Sequence, residues 1–267
     1  MSMLQNFAIG QYIPGDSFVH RLDPRSKFLF IIVFAMVVFM ANKAEIYGFL
    51  VAILLLCLFM SKLSLSYILR GLKPVWFLLL LTVILQLLLT KGGQVYVRWG
   101  WFSIEEEGVR QALFVSMRLG LLVVISSLLT LTTSPIDLTD GVERMFGPLK
   151  KWGLPVHEMA LMLSIAIRFI PTLLEETDKI MKAQMARGAN FDSGTLLSRA
   201  KAMVAIVIPL FISAFRRAED LALAMEARGY RGDIGRTKLR QLQFSYRDGI
   251  LLLFMLVLVV VVGWWRT

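Results

Sequence analysis

Long apolar runs constrain this chain more than any other feature of its sequence. A helix needs about 20 consecutive apolar residues to cross a bilayer. Hydrophobic side chains make up 57% of the 267 residues and charged ones only 18%, a composition outside that of ordinary soluble domains. The sequence therefore predicts an all-α integral membrane protein with about five transmembrane helices, over residues 28–41, 46–60, 74–90, 109–133 and 250–265.

The first two runs are short, and only residues 42–45 separate them. They fit either two tilted spans or one long hairpin. The last run ends in Trp264 and Trp265, where an interfacial aromatic belt is expected. A cleavable signal peptide is not expected, because the polar stretch HRLDPRSK precedes the first run and no small-residue cleavage site follows it.

Lysine and arginine in the loops predict the orientation in the membrane. Basic residues precede the first run and lie between the second and third, which places the N-terminus and both segments in the cytoplasm: Arg21, Arg25, Lys27, Lys62, Arg70 and Lys73. The loop 91–108 offsets its basic residues with three glutamates and is assigned to the outside. Residues 134–249 then lie inside and carry much of the net charge of +10, which suits an anionic lipid surface rather than nucleic acid.

Three segments follow from this division. Residues 1–133 form an N-terminal membrane region with about four spans, residues 134–249 a cytoplasmic or interfacial module, and residues 250–267 a final span. The middle segment is too long for a loop and contains helix start and stop signals. Ser134-Pro135 with Asp137 predicts a helix start, and Gly147-Pro148 its end.

Two stretches of the middle segment share one design. The first starts at Leu154-Pro155, passes Ile170-Pro171 and ends in the triplet Ala186, Arg187, Gly188. The second starts near Leu196, passes Ile208-Pro209 and ends in the triplet Ala227, Arg228, Gly229, which lies 41 residues after the first. A proline inside a helix removes one backbone donor and bends the helix. We therefore expect two long, kinked amphipathic helices related by a weak internal duplication.

The Ala-Arg-Gly triplets have two explanations. Arginine complements the dipole in the last turn of a helix and glycine takes the left-handed conformation after it, so one such end is ordinary helix chemistry. Two copies, each at the end of an amphipathic helix, favour a role in binding. An arginine at a helix tip can bind a carboxylate on a partner bidentately, and two tips indicate a partner with two like sites.

Other chemistry finds little support in the residues. Cys57 is the single cysteine, and the sequence HisGlu at 157–158 lacks the second histidine of a zinc helix, so we expect no metal site. There is no phosphate-binding loop and no set of catalytic residues, so we expect no enzyme and no cofactor. A stand-alone secondary transporter or channel is the alternative function. It requires paired ionisable groups within spans, and Arg118 has no carboxylate at helical spacing.

In its motifs the chain resembles the EcfT family, the transmembrane coupling subunits of energy-coupling factor (ECF) transporters, a branch of ABC-type importers. The resemblance covers essentially the whole chain. It is carried by HRLDPRSK before the first run, LTTSPIDLTDG at 131–141, the stretch 154–188 and PLFISAFRRAEDLALAMEARGY at 209–230.

The resemblance implies a function for the triplets. In that family two coupling helices end in x-Arg-x motifs that dock into two ATPase subunits, which by position assigns ATPase binding to both triplets. It implies a bacterial cell membrane, a pair of ABC-type ATPases that hydrolyse ATP, and a substrate-binding S-component that the coupling subunit tilts for uptake of vitamins or other micronutrients. Pro171 and Pro209 are then the expected bend points. The S-component selects the substrate, and the resemblance favours a coupling subunit that several S-components share.

Overall fold

A computed structural model of the chain describes residues 12–99, 102–189, 191, 195–232 and 244–266. The three segments predicted above also include residues outside these ranges, namely 1–11, 100–101, 190, 192–194, 233–243 and 267. Over the described ranges the chain is helical apart from one small hairpin, which confirms the predicted all-α class.

Nine α-helices follow one another in the described part of the chain. Their bounds are α1 Pro24–Met40, α2 Ala44–Ser61, α3 Leu65–Leu72, α4 Trp76–Leu89, α5 Glu106–Thr132, α6 Pro135–Phe146, α7 Val156–Ala186, α8 Leu196–Ala227 and α9 Tyr246–Arg266. A 3₁₀ helix, Gly147–Trp152, joins α6 to α7. Strands β1 Val95–Trp99 and β2 Phe102–Glu105 pair antiparallel within the stretch 91–108, where the sequence analysis expected a loop.

Four of the described helices are long and apolar enough to cross a membrane: α2, α5, α7 and α9. Helices α3 and α4 meet at a 58° bend and add a fifth span if they cross together. Helix α1 has 17 residues, slightly fewer than the roughly 20 that a span needs. The first half of α7 is mostly apolar and contains two charged residues, Glu158 and Arg168, whereas the other charged residues of the helix lie in its second half. The chain is a multi-pass membrane protein.

The chain divides into two compact units. Among the described residues, 12–141 and 244–266 form the first and 142–232 the second. The core of the first unit lies between α1, α2, α5 and α9, where a cluster of large side chains is almost completely buried: Phe34, Val38, Ile46, Tyr47, Leu50, Ile125, Leu258 and Val262. The second unit has few buried residues. Ala160 is the only one on α7, and none is found among the described side chains of α8.

Buried polar groups join the helix ends of the first unit. Asp23 caps α1 by accepting from the Arg25 amide at 2.9 Å. The Asp248 carboxylate accepts from the Asp23 amide and from the Ser245 amide, both at 2.9 Å, and so caps α9 while it holds the start of α1. Lys27 donates to the Thr132 carbonyl at 2.9 Å, which satisfies an acceptor at the end of α5.

The start of α6 follows the predicted capping pattern. The Asp137 amide donates to the Ser134 hydroxyl at 3.1 Å, and that hydroxyl donates to the Asp137 carboxylate at 2.7 Å. Pro135 occupies the first helical position, where no backbone donor is required. Helix α6 ends at Phe146, directly before Gly147-Pro148, as predicted.

Candidate functional site

Helices α7 and α8 form an antiparallel pair in the second unit. Near the end of α7 the Gln184 side chain donates to the Ala205 carbonyl at 3.3 Å. Further along, Glu176 and Arg217 form an ion pair at 3.3 Å. Residues nearer the start of α7 therefore contact residues nearer the end of α8, so the two helices run in opposite directions. The two triplets consequently lie at opposite ends of the pair.

Helix α7 ends in a Schellman motif at the first triplet. The Gly188 amide donates to the Met185 carbonyl at 2.9 Å, and the Ala189 amide donates to the Gln184 carbonyl at 3.0 Å. Gly188 has φ +89°, a left-handed conformation that glycine adopts without penalty. Arg187 is the last residue before this turn, so its side chain projects from the helix tip.

The same motif ends α8 at the second triplet. The Gly229 amide donates to the Glu226 carbonyl at 2.9 Å, and the Tyr230 amide donates to the Met225 carbonyl at 3.0 Å. Gly229 has φ +72°. The two helix ends thus share one hydrogen-bond pattern, which places Arg228 where the first end places Arg187.

Both tips are open to binding. All six triplet residues are exposed, and a Cβ added to Gly188 or Gly229 would meet no atom within 4 Å. Neither Arg187 nor Arg228 forms an ion pair within the described ranges. The turns are closed by main-chain groups alone, so the guanidinium groups take no part in capping.

The distance between the tips follows from the packing. Ala205 lies beside Gln184, three residues before Arg187. From Ala205 to Arg228, helix α8 rises about 35 Å at about 1.5 Å per residue. A partner that binds both arginines must therefore offer two sites on the order of 35 Å apart.

An approximate two-fold relation connects the two helices. The internal duplication matches residues 41 positions apart, and this spacing pairs Glu176 with Arg217, the two residues that form the ion pair. When equivalent positions of two antiparallel helices contact each other, the axis that relates the helices passes near that contact. The prolines lie 38 positions apart, so the duplication is not strict. The sequence alone does not pair Glu176 with Arg217, although their spacing of 41 residues equals that of the triplets.

A groove separates α7 from α8 beside this contact. Ala214, Ala218 and Ala222 recur at every fourth position and face α7, as their spacing suggests for a helix-crossing surface. They leave a cavity of about 300 Å³ whose opposite wall includes Ile165 and Phe169. The two helices therefore leave space between them at this level.

Pro171 and Pro209 lie inside α7 and α8, and both helices continue through them, as predicted. Because proline has no amide hydrogen, Pro209 cannot donate to the carbonyl four residues earlier, which is that of Ala205. Gln184 of α7 donates to this carbonyl instead. A side chain of one helix therefore satisfies the acceptor that the proline of the other leaves open, a role that the sequence alone did not reveal.

His157 and Glu176 each contact a side chain of another helix. The His157 Nδ1 lies 2.9 Å from the Glu143 carboxylate, which links α6 to the start of α7. No group of metal ligands occurs among the described residues. The Glu176 carboxylate pairs with Arg217 of α8, which the antiparallel packing brings beside it.

Arg118 lies within the candidate span α5 and contacts neutral groups. Its guanidinium donates to the Tyr47 hydroxyl at 3.2 Å and to the Ala41 carbonyl at 3.4 Å. Within the described ranges it forms no ion pair, and its Nε has no hydrogen-bond partner. A stand-alone ion-coupled carrier is expected to pair ionisable groups within its spans, and the surroundings of Arg118 do not favour that alternative.

Comparison with known proteins places these features in context. The sequence profile of the family described as "CbiQ: Cobalt transport protein" matches residues 15–239. Three similar proteins each carry the name energy-coupling factor transporter transmembrane protein EcfT. The protein from Brevibacillus brevis is 66% identical over 265 residues, 99% of this chain and 100% of the relative. Those from Bacillus subtilis and Clostridium kluyveri are 49% and 50% identical, and cover 96% of this chain with 97% and 96% of their own lengths.

Proposed function

The chain belongs to the EcfT family of energy-coupling factor transporter transmembrane proteins, and on that premise we propose that it is the coupling scaffold of its transporter. In this proposal two ABC-type ATPase subunits bind the two helix tips, and their ATP-driven motion reaches a substrate-binding S-component through α7 and α8. The scaffold hydrolyses no ATP itself. The transported substrates are vitamins or other micronutrients that the S-component selects.

The observation that carries the proposal is the equivalence of the two tips. Both end in the same Schellman motif, and both present an exposed arginine that forms no ion pair within the described ranges. A guanidinium at such a tip can bind a carboxylate with two parallel hydrogen bonds, which defines direction as well as charge. Two equivalent tips suit a pair of similar ATPases better than one monomeric partner.

The approximate two-fold relation supports the same conclusion. Pairs of similar subunits form with closed two-fold symmetry more often than with any other. A scaffold whose tips are related by an axis near the Glu176–Arg217 contact can match such a pair. Each ATPase then meets the same arrangement of backbone and arginine.

The contacts between α7 and α8 suit a joint that changes its angle. Among the described residues, an ion pair and a side-chain hydrogen bond join the two helices, and a groove of about 300 Å³ lies between them. No described side chain of α8 is buried. Weakly packed contacts can rearrange at low free-energy cost. Movement of the ATPases would change the crossing of the two helices, with Pro171 and Pro209 as bend points.

Helix α8 also offers a surface for a membrane partner. It exposes a row of large apolar side chains that its pairing with α7 leaves uncovered: Met203, Val204, Val207, Ile208, Phe211, Ile212 and Phe215. Contiguous exposed apolar surface marks contact with a protein or with lipid. We assign this row to contact with the S-component at the membrane surface, with residues 134–249 and the N-terminus on the cytoplasmic side.

Affinity purification from native membranes tests the proposal. We would compare the tagged wild type with the double variant Arg187→Glu, Arg228→Glu and identify the copurifying proteins by mass spectrometry. The wild type should recover an ATPase pair and small membrane proteins, and the double variant should lose the ATPases. Lys179→Glu with Arg216→Glu is the matched control, because it reverses one exposed charge on each helix away from the tips.

Two results would refute the proposal. A wild type that recovers no ATPase would remove the scaffold function. Equal loss of the ATPases in the control variant would show that general charge on α7 and α8, rather than the arginine tips, governs binding.

A further inference from the structure

An apolar cavity of about 240 Å³ lies in the first unit, at the end where α1 begins and α5 ends. Helices α1, α2, α5 and α9 and the segment before α1 contribute its walls. Its buried side is formed by Val19, Leu22, Phe30, Ile125 and Leu128. Lys27 contributes only its aliphatic stem, because its ammonium group donates to the Thr132 carbonyl at 2.9 Å.

Part of the cavity wall is exposed on the surface of the candidate spans α2 and α9. Two of its wall residues are well exposed, Leu56 on α2 at 53% and Ile250 on α9 at 56%. A dry apolar cavity of roughly 150 Å³ is already large enough to hold benzene, and apolar cavities do not retain water. Hydrocarbon is therefore the ligand that suits this larger cavity, and the adjacent source of hydrocarbon is the bilayer.

A cation lies at the same end of the helices. Arg247 is one helical turn before Ile250 and Leu251, which line the cavity. Its guanidinium lies 5.9 Å from the ring centre of Phe18, another wall residue. Its Nε donates to the Tyr246 hydroxyl at 3.3 Å, and within the described ranges it forms no ion pair. Arginine binds phosphate well in such a position, because its planar group presents several donors together.

We propose that this cavity binds one acyl chain of an anionic phospholipid, whose phosphate is held by Arg247. The apolar walls account for the chain and the guanidinium for the headgroup. A negatively charged headgroup is selected over a zwitterionic one, because no ion pair within the described ranges neutralises the Arg247 guanidinium. This site is separate from the two helix tips, and its test does not depend on their function.

Native mass spectrometry of the detergent-purified protein tests the proposal, after incubation with equal amounts of phosphatidylglycerol and phosphatidylcholine. The wild type should retain one phosphatidylglycerol in preference to phosphatidylcholine. Cys57→Phe places a ring in the cavity and should reduce retention at least tenfold. Leu55→Phe is its control, because Leu55 is 58% exposed on the same helix and does not line the cavity.

Arg247→Gln tests the headgroup contact. It should abolish the preference for phosphatidylglycerol, whereas Arg110→Gln should preserve it. Arg110 is the matched control because its guanidinium also stacks over a phenylalanine, at 5.5 Å from the ring centre of Phe114, but lies away from the cavity. Equal retention by the wild type and Cys57→Phe, or an unchanged lipid preference in Arg247→Gln, would overturn the proposal.

A second measurement uses only the wild type, so that misfolding of a variant cannot affect it. Phosphatidylglycerol that carries a diazirine in its acyl chain is photolysed on the full-length protein, and the adducts are mapped by peptide sequencing. Adducts should concentrate on residues 56–60 and 250–254, which line the cavity. A uniform distribution over the exposed faces of all the spans would contradict a specific site.

Discussion

Arg187 and Arg228 show how an ordinary helix end can serve a binding function. Capping chemistry explains the backbone at both triplets, because two main-chain hydrogen bonds close each turn around a glycine with positive φ. It does not explain the arginines, since neither contributes a side chain to its cap. The sequence predicted both helix ends, but the equality of their hydrogen bonds emerged only with the structure.

Replacing the glycine of either triplet by alanine should destabilise the turn that ends the helix. Gly188→Ala and Gly229→Ala have free space but place a Cβ in the left-handed region, at a cost of about 1 to 2 kcal/mol. Amide hydrogen exchange at Ala189 and Tyr230 should accelerate roughly fivefold to thirtyfold. Gly147→Ala is the control, because Gly147 also has open space but no positive φ. If Gly147→Ala accelerated amide exchange beside residue 147 by the same factor, the explanation from positive φ would be contradicted.

Helix boundaries were predicted well where capping residues were explicit, as at Ser134-Pro135 and Gly147-Pro148. The hairpin of β1 and β2 was missed, although valine, tyrosine, tryptophan and phenylalanine around Gly100 are typical of strands. The contacts between α7 and α8 could not be predicted, because they depend on the offset at which two long helices pack. That offset brings Gln184 to the carbonyl that Pro209 leaves open.

The Glu176–Arg217 contact should govern coupling more than stability. Both side chains are partly exposed, at 27% and 38%, and pairs of this kind contribute about 0 to 1 kcal/mol. Glu176→Arg and Arg217→Glu should each lower ATP-driven uptake by the reconstituted transporter while the melting temperature changes little. The exchange of both charges in one chain should restore uptake, and failure to do so would indicate that the contact is incidental.

Stability is concentrated in the helices around the core of the first unit, whereas α7 and α8 leave much apolar surface uncovered. This distribution suits a protein whose membrane part folds as a stable base and whose long helices gain order from partners. The apolar runs predicted the spans, and the helical periodicity predicted the long helices. Neither pattern identified the buried polar contacts that join α1, α5 and α9.

A substitution of Asp248 tests whether these buried polar contacts stabilise the first unit. The Asp248 carboxylate accepts from two amides, those of Asp23 and Ser245, and is almost completely buried. Asp248→Asn replaces one acceptor oxygen by a donor that faces an amide, which should cost about 1 to 3 kcal/mol and lower the melting temperature of the purified protein. Asp220→Asn, at an exposed position of α8, should leave the melting temperature unchanged. A similar decrease in the Asp220 variant would refute the stabilising role of the Asp248 carboxylate.

Site-specific crosslinking in the assembled transporter tests the two-tip account most directly. Cysteines would be introduced singly as Ala186→Cys and Ala227→Cys in a Cys57→Ser background, with Met203→Cys as an exposed control on α8. A short reagent with one thiol-reactive end and one photoactivated end should join each tip to an ATPase subunit, one subunit per tip, and should not join the control to either. Crosslinks from one tip alone, or from neither, would contradict a scaffold that engages an ATPase pair through two equivalent helix ends.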